Sequence, residues 1–201
     1  MAGVPGTFFT SDLHLGHRLV AGLRGFDDPA DHDDEIARRW RETVGDGDTV
    51  WVLGDLAVTS SAIGIERTLQ RIAGLPGTKH LVPGNHDPVH PMHRHAHRHQ
   101  RRYLEVFESV QAFARTRIPV LPDVRATPMM LSHFPYLADH SDPPRFLEYR
   151  LRDEGEWLLH GHTHAAGQRT SVREIHVGLD AWDLRPAALE QVAALLAGAA
   201  S

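Results

Sequence analysis

Sixteen histidines in a chain of 201 residues exceed what packing requires, and many of them stand beside Asp, Asn or Gly. Five short clusters combine them with other donors: Asp12-Leu13-His14, Gly54-Asp55, Gly84-Asn85-His86-Asp87, Ser132-His133 and Gly161-His162-Thr163-His164. Carboxylate, amide oxygen and imidazole are ligands that suit Mn, Fe, Zn or Ni, and the chain has no cysteine to supply a thiolate. In Asp12-x-His14 and His162-x-His164 the two-residue spacing puts both side chains on one side of an extended segment, so each pair can face one site. Taken singly, each cluster is weak evidence, because a histidine at a strand end is more often hydrogen-bonded and structural. Five together, each after an apolar run, require a common explanation.

Short β-type runs carry these clusters at their ends: Thr7 to Thr10, Thr49 to Leu53, Lys79 to Val82, Met129 to Leu131, Trp157 to Leu159 and Val172 to Val177. Helical periodicity lies between them, over Asp34 to Val44, Ala62 to Ala73 and Ala187 to Ala197. The segments from Gln111 to Pro119 and from Pro128 to Leu131 follow one another without a helix, so mixed sheets are expected rather than purely parallel ones. This pattern predicts an α/β fold, a four-layer αββα sandwich of two mixed β-sheets flanked by helices, in a single domain over 1–201. Glycines 54, 84 and 161 permit the tight turns that bring backbone close to a metal or a phosphate.

Composition narrows the setting. With 21 basic and 26 acidic side chains the formal charge is −5, so no global positive field draws the chain to nucleic acid or anionic lipid. Residues 1–7 show neither a charged nor an apolar leader pattern, and no run of about 18 apolar residues is present, so a cytoplasmic protein with no membrane partner is expected. The stretch Pro88 to Arg102 is dense in His and Arg. Its histidines 90, 93, 95, 97 and 99 alternate with Arg94, Arg98, Arg101 and Arg102, which would repel a cation. A solvated surface helix or loop is expected there, with phosphate or nucleotide contact as the second reading.

The ordered set Asp-x-His, Gly-Asp, Gly-Asn-His-Asp, a lone His and Gly-His-x-His, spanning residues 12 to 164, resembles the calcineurin-like metallophosphoesterase superfamily. The closing segment Gly178 to Pro186 resembles that of its small bacterial and phage-like members. The resemblance implies a dinuclear, metal-dependent phosphoesterase in which Asp12, His14 and His164 hold one ion, Asn85, His133 and His162 hold the second, and Asp55 bridges both. It implies two divalent cations (Mn, Fe, Zn or Ni, with Mn favoured), about 3.5–4 Å apart, and in-line attack on phosphorus by water activated between them. His86 would then be catalytic, reaching the phosphate or protonating the leaving alkoxide, and Asp87 would orient it by accepting from its ring N–H.

The expected substrate is a small-molecule phosphate ester, and a phosphodiester is favoured over a monoester because the chain carries no extra domain. Nucleic acid is a disfavoured alternative that would rely on the Arg94 to Arg102 cluster. A non-catalytic metal-binding scaffold is disfavoured because every ligand is present. A monomer or a homodimer is expected. His17 is assigned either to substrate or ligand contact or to turn stabilisation, and Ser132 to structure. His32, His80, His140, His160 and His176 are read as structural or surface residues. Trp182 is expected to cover the core edge or, as the alternative, to stack on substrate, and Pro186 to start the last helix.

Overall fold

The structure, a computed structural model, describes residues 4–119 and 126–198, so the first three residues of the amino-terminal segment 1–7 lie outside it. Two mixed sheets form an α/β sandwich. The first has the order β4(Ser109–Val110), β3(Thr78–Leu81), β2(Thr49–Val52), β1(Thr7–Thr10), β9(Ala187–Ala188). Its first four strands are parallel and β9 is antiparallel to β1. The second sheet has the order β5(Ala114–Ile118), β6(Thr127–Leu131), β7(Trp157–His160), β8(Glu174–His176), with β5 antiparallel to β6 and the rest parallel.

Strand alternation sorts the side chains between two cores. Val50, Val52 and Leu81 pack with Ile36 and Trp40 of α2(Pro29–Thr43) and with Ile65, Leu69 and Ile72 of α3(Ala62–Ala73), so these helices form the outer layer on the first sheet. Phe9, Leu53 and Val82 instead join Met129, Leu131, Leu159 and Ile175 in the core between the sheets. The last helix, α5(Leu189–Ala197), adds Val192 and Leu196 to that same inter-sheet core.

Three element boundaries differ from expectation for local reasons. α2 begins at Pro29 rather than Asp34, because the Asp28 carboxylate accepts from Ala30 N–H at 2.9 Å and Pro29 occupies the first helical turn. Pro186 does not start the terminal helix: Ala187 and Ala188 first pair with β1, and α5 begins at Leu189, where Gln191 Oε1 accepts from Ala188 N–H at 2.9 Å. The Pro88 to Arg102 stretch is mostly turns, with a short 3-10 segment over Ala96–Arg98 leading into α4(Gln100–Tyr103). One further helix, α1(Arg18–Leu23), follows the loop after β1. Among the described residues no helix is long and apolar enough to cross a membrane.

Candidate metal centre

All five clusters meet at the carboxyl-terminal ends of the parallel strands. Their backbone is unusual: Asp12, His14, Asp55, His162 and His164 have φ between 48° and 70°, the left-handed region that β-carbon-bearing residues avoid. Each such residue costs on the order of 1–3 kcal/mol, so the surroundings must enforce it. Close backbone approach does part of this. A Cβ on Gly84 would collide with Asp55 Oδ1 and the His133 ring, and one on Gly161 would collide with Ser11 Oγ and Asp12 Oδ2.

Buried carboxylates clamp the loops together. Asp87 accepts from the N–H groups of Gly84 (2.8 Å), Asp55 (2.9 Å) and Leu56 (3.0 Å), tying the loop after β3 to the loop after β2. This corrects the expectation for Asp87: its oxygens serve backbone, and it positions Asp55 instead of orienting the His86 ring. Asp33 does the equivalent for the first loop, with both oxygens on Gly16 N–H at 2.9 and 3.0 Å. Asp12 accepts from His162 N–H at 3.1 Å, and Asp55 Oδ1 accepts from His86 N–H at 2.9 Å.

The remaining atoms converge without donors between them. Asp55 Oδ2 lies 3.6 Å from His14 Nε2 and 3.5 Å from His133 Nε2. His133 donates its Nδ1–H to Leu53 O at 2.7 Å, so a neutral ring turns a bare Nε2 toward Asn85 Oδ1 at 3.1 Å. His162 donates Nε2–H to Asp139 Oδ2 at 3.3 Å, which leaves a bare Nδ1 facing the same Asn85 oxygen at 3.0 Å. Burial pushes the imidazolium of His133 below its usual range and that of His162 down to about 3, so both rings are neutral lone-pair donors. His14 is buried, and among the described residues neither ring nitrogen has a hydrogen-bond partner. Acceptors facing acceptors, with an unpartnered imidazole beside two carboxylates, is the arrangement a cation satisfies. Ligand atoms of Asp12, His14 and His164, and likewise of Asp12, Asp55 and His133, lie within 4.8 Å of one another, so the residues fit metal ions.

The carboxylates carry complementary electrostatics. Burial, reinforced by the charges of Asp12 and Asp87, pushes the Asp55 carboxyl well above the usual range. Burial acts the same way on Asp12, but His176, His133 and His164 outweigh it and hold Asp12 well below. An excess of buried negative charge at Asp55 is what a cation would relieve.

The partners that hold the candidate ligands had no signal in motif spacing. Asp180 accepts from His164 Nδ1 at 3.0 Å and is itself gripped by Arg24 through Nε (2.9 Å) and a second nitrogen (2.8 Å). Asp139 accepts from His162 and from Arg150 at 2.7 Å, and its other oxygen faces His140 at 3.4 Å. His140, expected to be structural or surface, thus stands at the site. His176 is fully buried, with Nε2 3.7 Å from Asp12 Oδ2. Trp182 is buried and donates to His176 O at 2.8 Å, which makes it a core residue unable to stack on substrate. His17 is the N-cap residue of α1 but its ring makes no capping bond among the described residues; the ring centroid lies 5.6 Å from that of His14, and the residue lines the cleft over the site. His90, expected on a solvated face, is buried edge-on against Phe134 and accepts from Met92 N–H at 3.1 Å.

His86 faces the ligand set, its ring centroid 5.5 Å from that of His14. A cleft of about 370 Å³ opens over His14, Asp55, Asn85, His86, His162 and His164. Leu19, Val20 and Leu23 of α1 form one wall, and Arg145 and His140 form another.

The sequence is 45% identical over 181 residues to the "Gene 66 protein" of Mycobacterium phage L5, covering 88% of this chain and 87% of that protein. It is 48% identical over 183 residues to the "Gene 66 protein" of Mycobacterium phage D29, covering 89% and 90%. No family model matches. A crystal structure of a protein of unknown function from Aquifex aeolicus shares the fold, with a TM-score of 0.65 and 21% identity over 96% of this chain and 100% of that one.

Proposed function

The chain belongs to the family of the Gene 66 proteins of Mycobacterium phages L5 and D29, and we propose that it hydrolyses phosphate esters with the help of two divalent cations. The observation that carries this reading is Asp55 Oδ2, set 3.6 Å from His14 Nε2 and 3.5 Å from His133 Nε2, between two ligand sets. Asp12, His14 and His164 would hold one ion, Asn85, His133 and His162 the other, and Asp55 would touch both; Mn is favoured among Mn, Fe, Zn and Ni. When bound, such ions would supply Lewis acidity and make water a nucleophile near pH 7. The ordered motifs that resemble calcineurin-like metallophosphoesterases support the same chemistry.

The chain's own groups have distinct tasks. Burial, with the charges of His133 and His17, pushes the His86 imidazolium down to about 4, so the ring is neutral near pH 7. A neutral ring donates a hydrogen bond to a phosphoryl oxygen instead of delivering a proton to the leaving group, and this is the role we assign to His86. Arg145, at the cleft wall, offers a cation to the same phosphoryl group. A diester is favoured over a monoester because cavities lie on both sides of His86: the cleft walled by α1, and a second of about 460 Å³ that shares Asn85 and His86.

Hydrolysis of bis(p-nitrophenyl) phosphate and of p-nitrophenyl phosphate by metal-stripped protein, with and without Mn, tests the proposal. Turnover that returns with Mn, is greater on the diester and is lost in Asp55→Asn is expected. Absence of turnover on both esters with Mn, Fe, Zn and Ni would remove the enzyme reading and leave a metal-binding scaffold.

A further inference from the structure

The second cavity, unlike the first, has no carboxylate in its lining. Its floor is Asn85 and His86, and its far wall is Arg94, His93, His95 and His99. Opposite stand Val58, Thr59 and Ser60, from the segment that enters α3. The basic wall is anchored to the site: His93 Nε2–H donates to Asn85 O at 2.9 Å, so Arg94 follows directly on a residue that touches a ligand's backbone. Among the described residues Arg94 has no carboxylate within ion-pair distance and no hydrogen-bonded partner, whereas most of the other arginines are paired with Asp or Glu. An unpaired guanidinium on the wall of a cleft offers planar, two-pronged donation to a phosphate. Crowding of like charge supports the same picture: burial, then Arg102, His93 and His95, lower the His99 imidazolium from its usual range.

Resting on the hydrolytic reading, we propose that this cavity is a second phosphate subsite, and that the preferred substrate is a phosphodiester one of whose arms carries a further phosphate held by Arg94. The scissile phosphorus sits over the ligand set, the arm passes His86, and its apolar portion lies along Val58 and Pro88. The other arm leaves along Leu19 and Leu23, which are 66% and 79% exposed on the opposite side of the same residues. With an overall charge of −5, selectivity for an extra phosphate has to come from such a local wall.

Calorimetric titration of the Mn-loaded protein with thymidine 5′-monophosphate and thymidine 3′,5′-bisphosphate tests the subsite without relying on turnover. The bisphosphate is expected to bind about 10-fold tighter or more, in line with a charge-assisted contact to phosphate. The ratio of the two affinities should fall toward one in Arg94→Gln and be partly kept in Arg94→Lys. Equal affinities in the wild type, or a ratio unmoved in Arg94→Gln, would overturn the proposal even if Mn-dependent turnover stands. A ratio that responds to Arg94 in a protein that cleaves no ester would uphold the subsite and overturn the hydrolytic reading. Competition by an eight-residue thymidylate strand assigns the second phosphate to a polymer, and failure to compete assigns it to a small bisphosphate; the subsite holds in both cases.

Discussion

His164 and Asp180 are joined by a 3.0 Å hydrogen bond from Nδ1–H to Oδ2, a pairing that leaves Nε2 as the nitrogen available to a cation. His162 repeats the device with the opposite nitrogen, donating Nε2–H to Asp139 and keeping Nδ1. Each aspartate is in turn held by an arginine, Arg24 for Asp180 and Arg150 for Asp139. The Gly-His-x-His ligands are therefore set by two Arg–Asp–His chains arriving from different parts of the fold.

Removing either aspartate should loosen the metal without dismantling the ligand set. Asp180→Asn and Asp139→Asn are each expected to weaken Mn binding by about 10–100-fold, with turnover largely regained at saturating Mn. Titration of Mn into stripped protein reads the affinity directly. Unchanged affinity in both variants would mean that these carboxylates do not set the rings.

Asp87 should behave as a structural clamp. Asp87→Ala strips acceptors from three buried N–H groups, each costing about 1–3 kcal/mol when unsatisfied. A clear loss of thermal stability together with weaker Mn binding is expected, with Asp87→Asn intermediate. Full stability with only kcat reduced would return Asp87 to the role of partner to His86.

The pH dependence of turnover separates two roles for His86. A general acid with its imidazolium near 4 would lose its protonated fraction about tenfold per pH unit above that value, which cancels the rise from metal-activated water below about pH 7 and leaves a fall above it. A neutral donor imposes no such fall, and a metal-activated water makes the rate rise toward about pH 7. We expect kcat on a phosphodiester with an alkoxide leaving group to rise from pH 5 to about 7 and then stay level to pH 8, and His86→Ala to lower it at every pH. A declining limb that disappears in His86→Ala would contradict this role.

His90 gives the fold a pH-dependent weakness. Burial, followed by the charges of His133 and His93, pushes its imidazolium from the usual 6.5 down to about 4. Between those values the unfolded chain binds the extra proton, so stability rises with pH across the window and is lost on acidification through it. The limiting slope for one proton is about 1.4 kcal/mol per pH unit. Denaturant unfolding of metal-stripped protein from pH 4 to 7 should show a shallower slope in His90→Gln; an identical slope would assign the effect to other groups.

The seven candidate ligands and His86, which the fold brings together, were legible because a loop at the end of a β-strand announces itself as an apolar run followed by Gly, Asp or His, as at Val52 to Asp55 and Leu158 to His162. The same rule located Thr7–Thr10, and helical periodicity located Ala62–Ala73 to the residue. The supporting shell obeys no such rule. Asp180 and Arg24 meet across 156 positions, and Asp139 and Arg150 lie in an irregular segment, so neither pair leaves a periodic trace. The Asp28-Pro29 start of α2 was readable from capping chemistry, whereas β9 is two alanines whose only mark is their pairing with Phe8 and Phe9. Solvation of the histidine-rich stretch was misjudged at His90 because spacing cannot show that Phe134 lies over that ring.

The proposed centre requires two cations to share Asp55. Electron paramagnetic resonance of stripped protein titrated with Mn tests it most directly. Two ions per chain with an exchange-coupled signal are expected in the wild type, and a single uncoupled ion at most in Asp55→Asn. One ion per chain, or two uncoupled ions, in the wild type would contradict it.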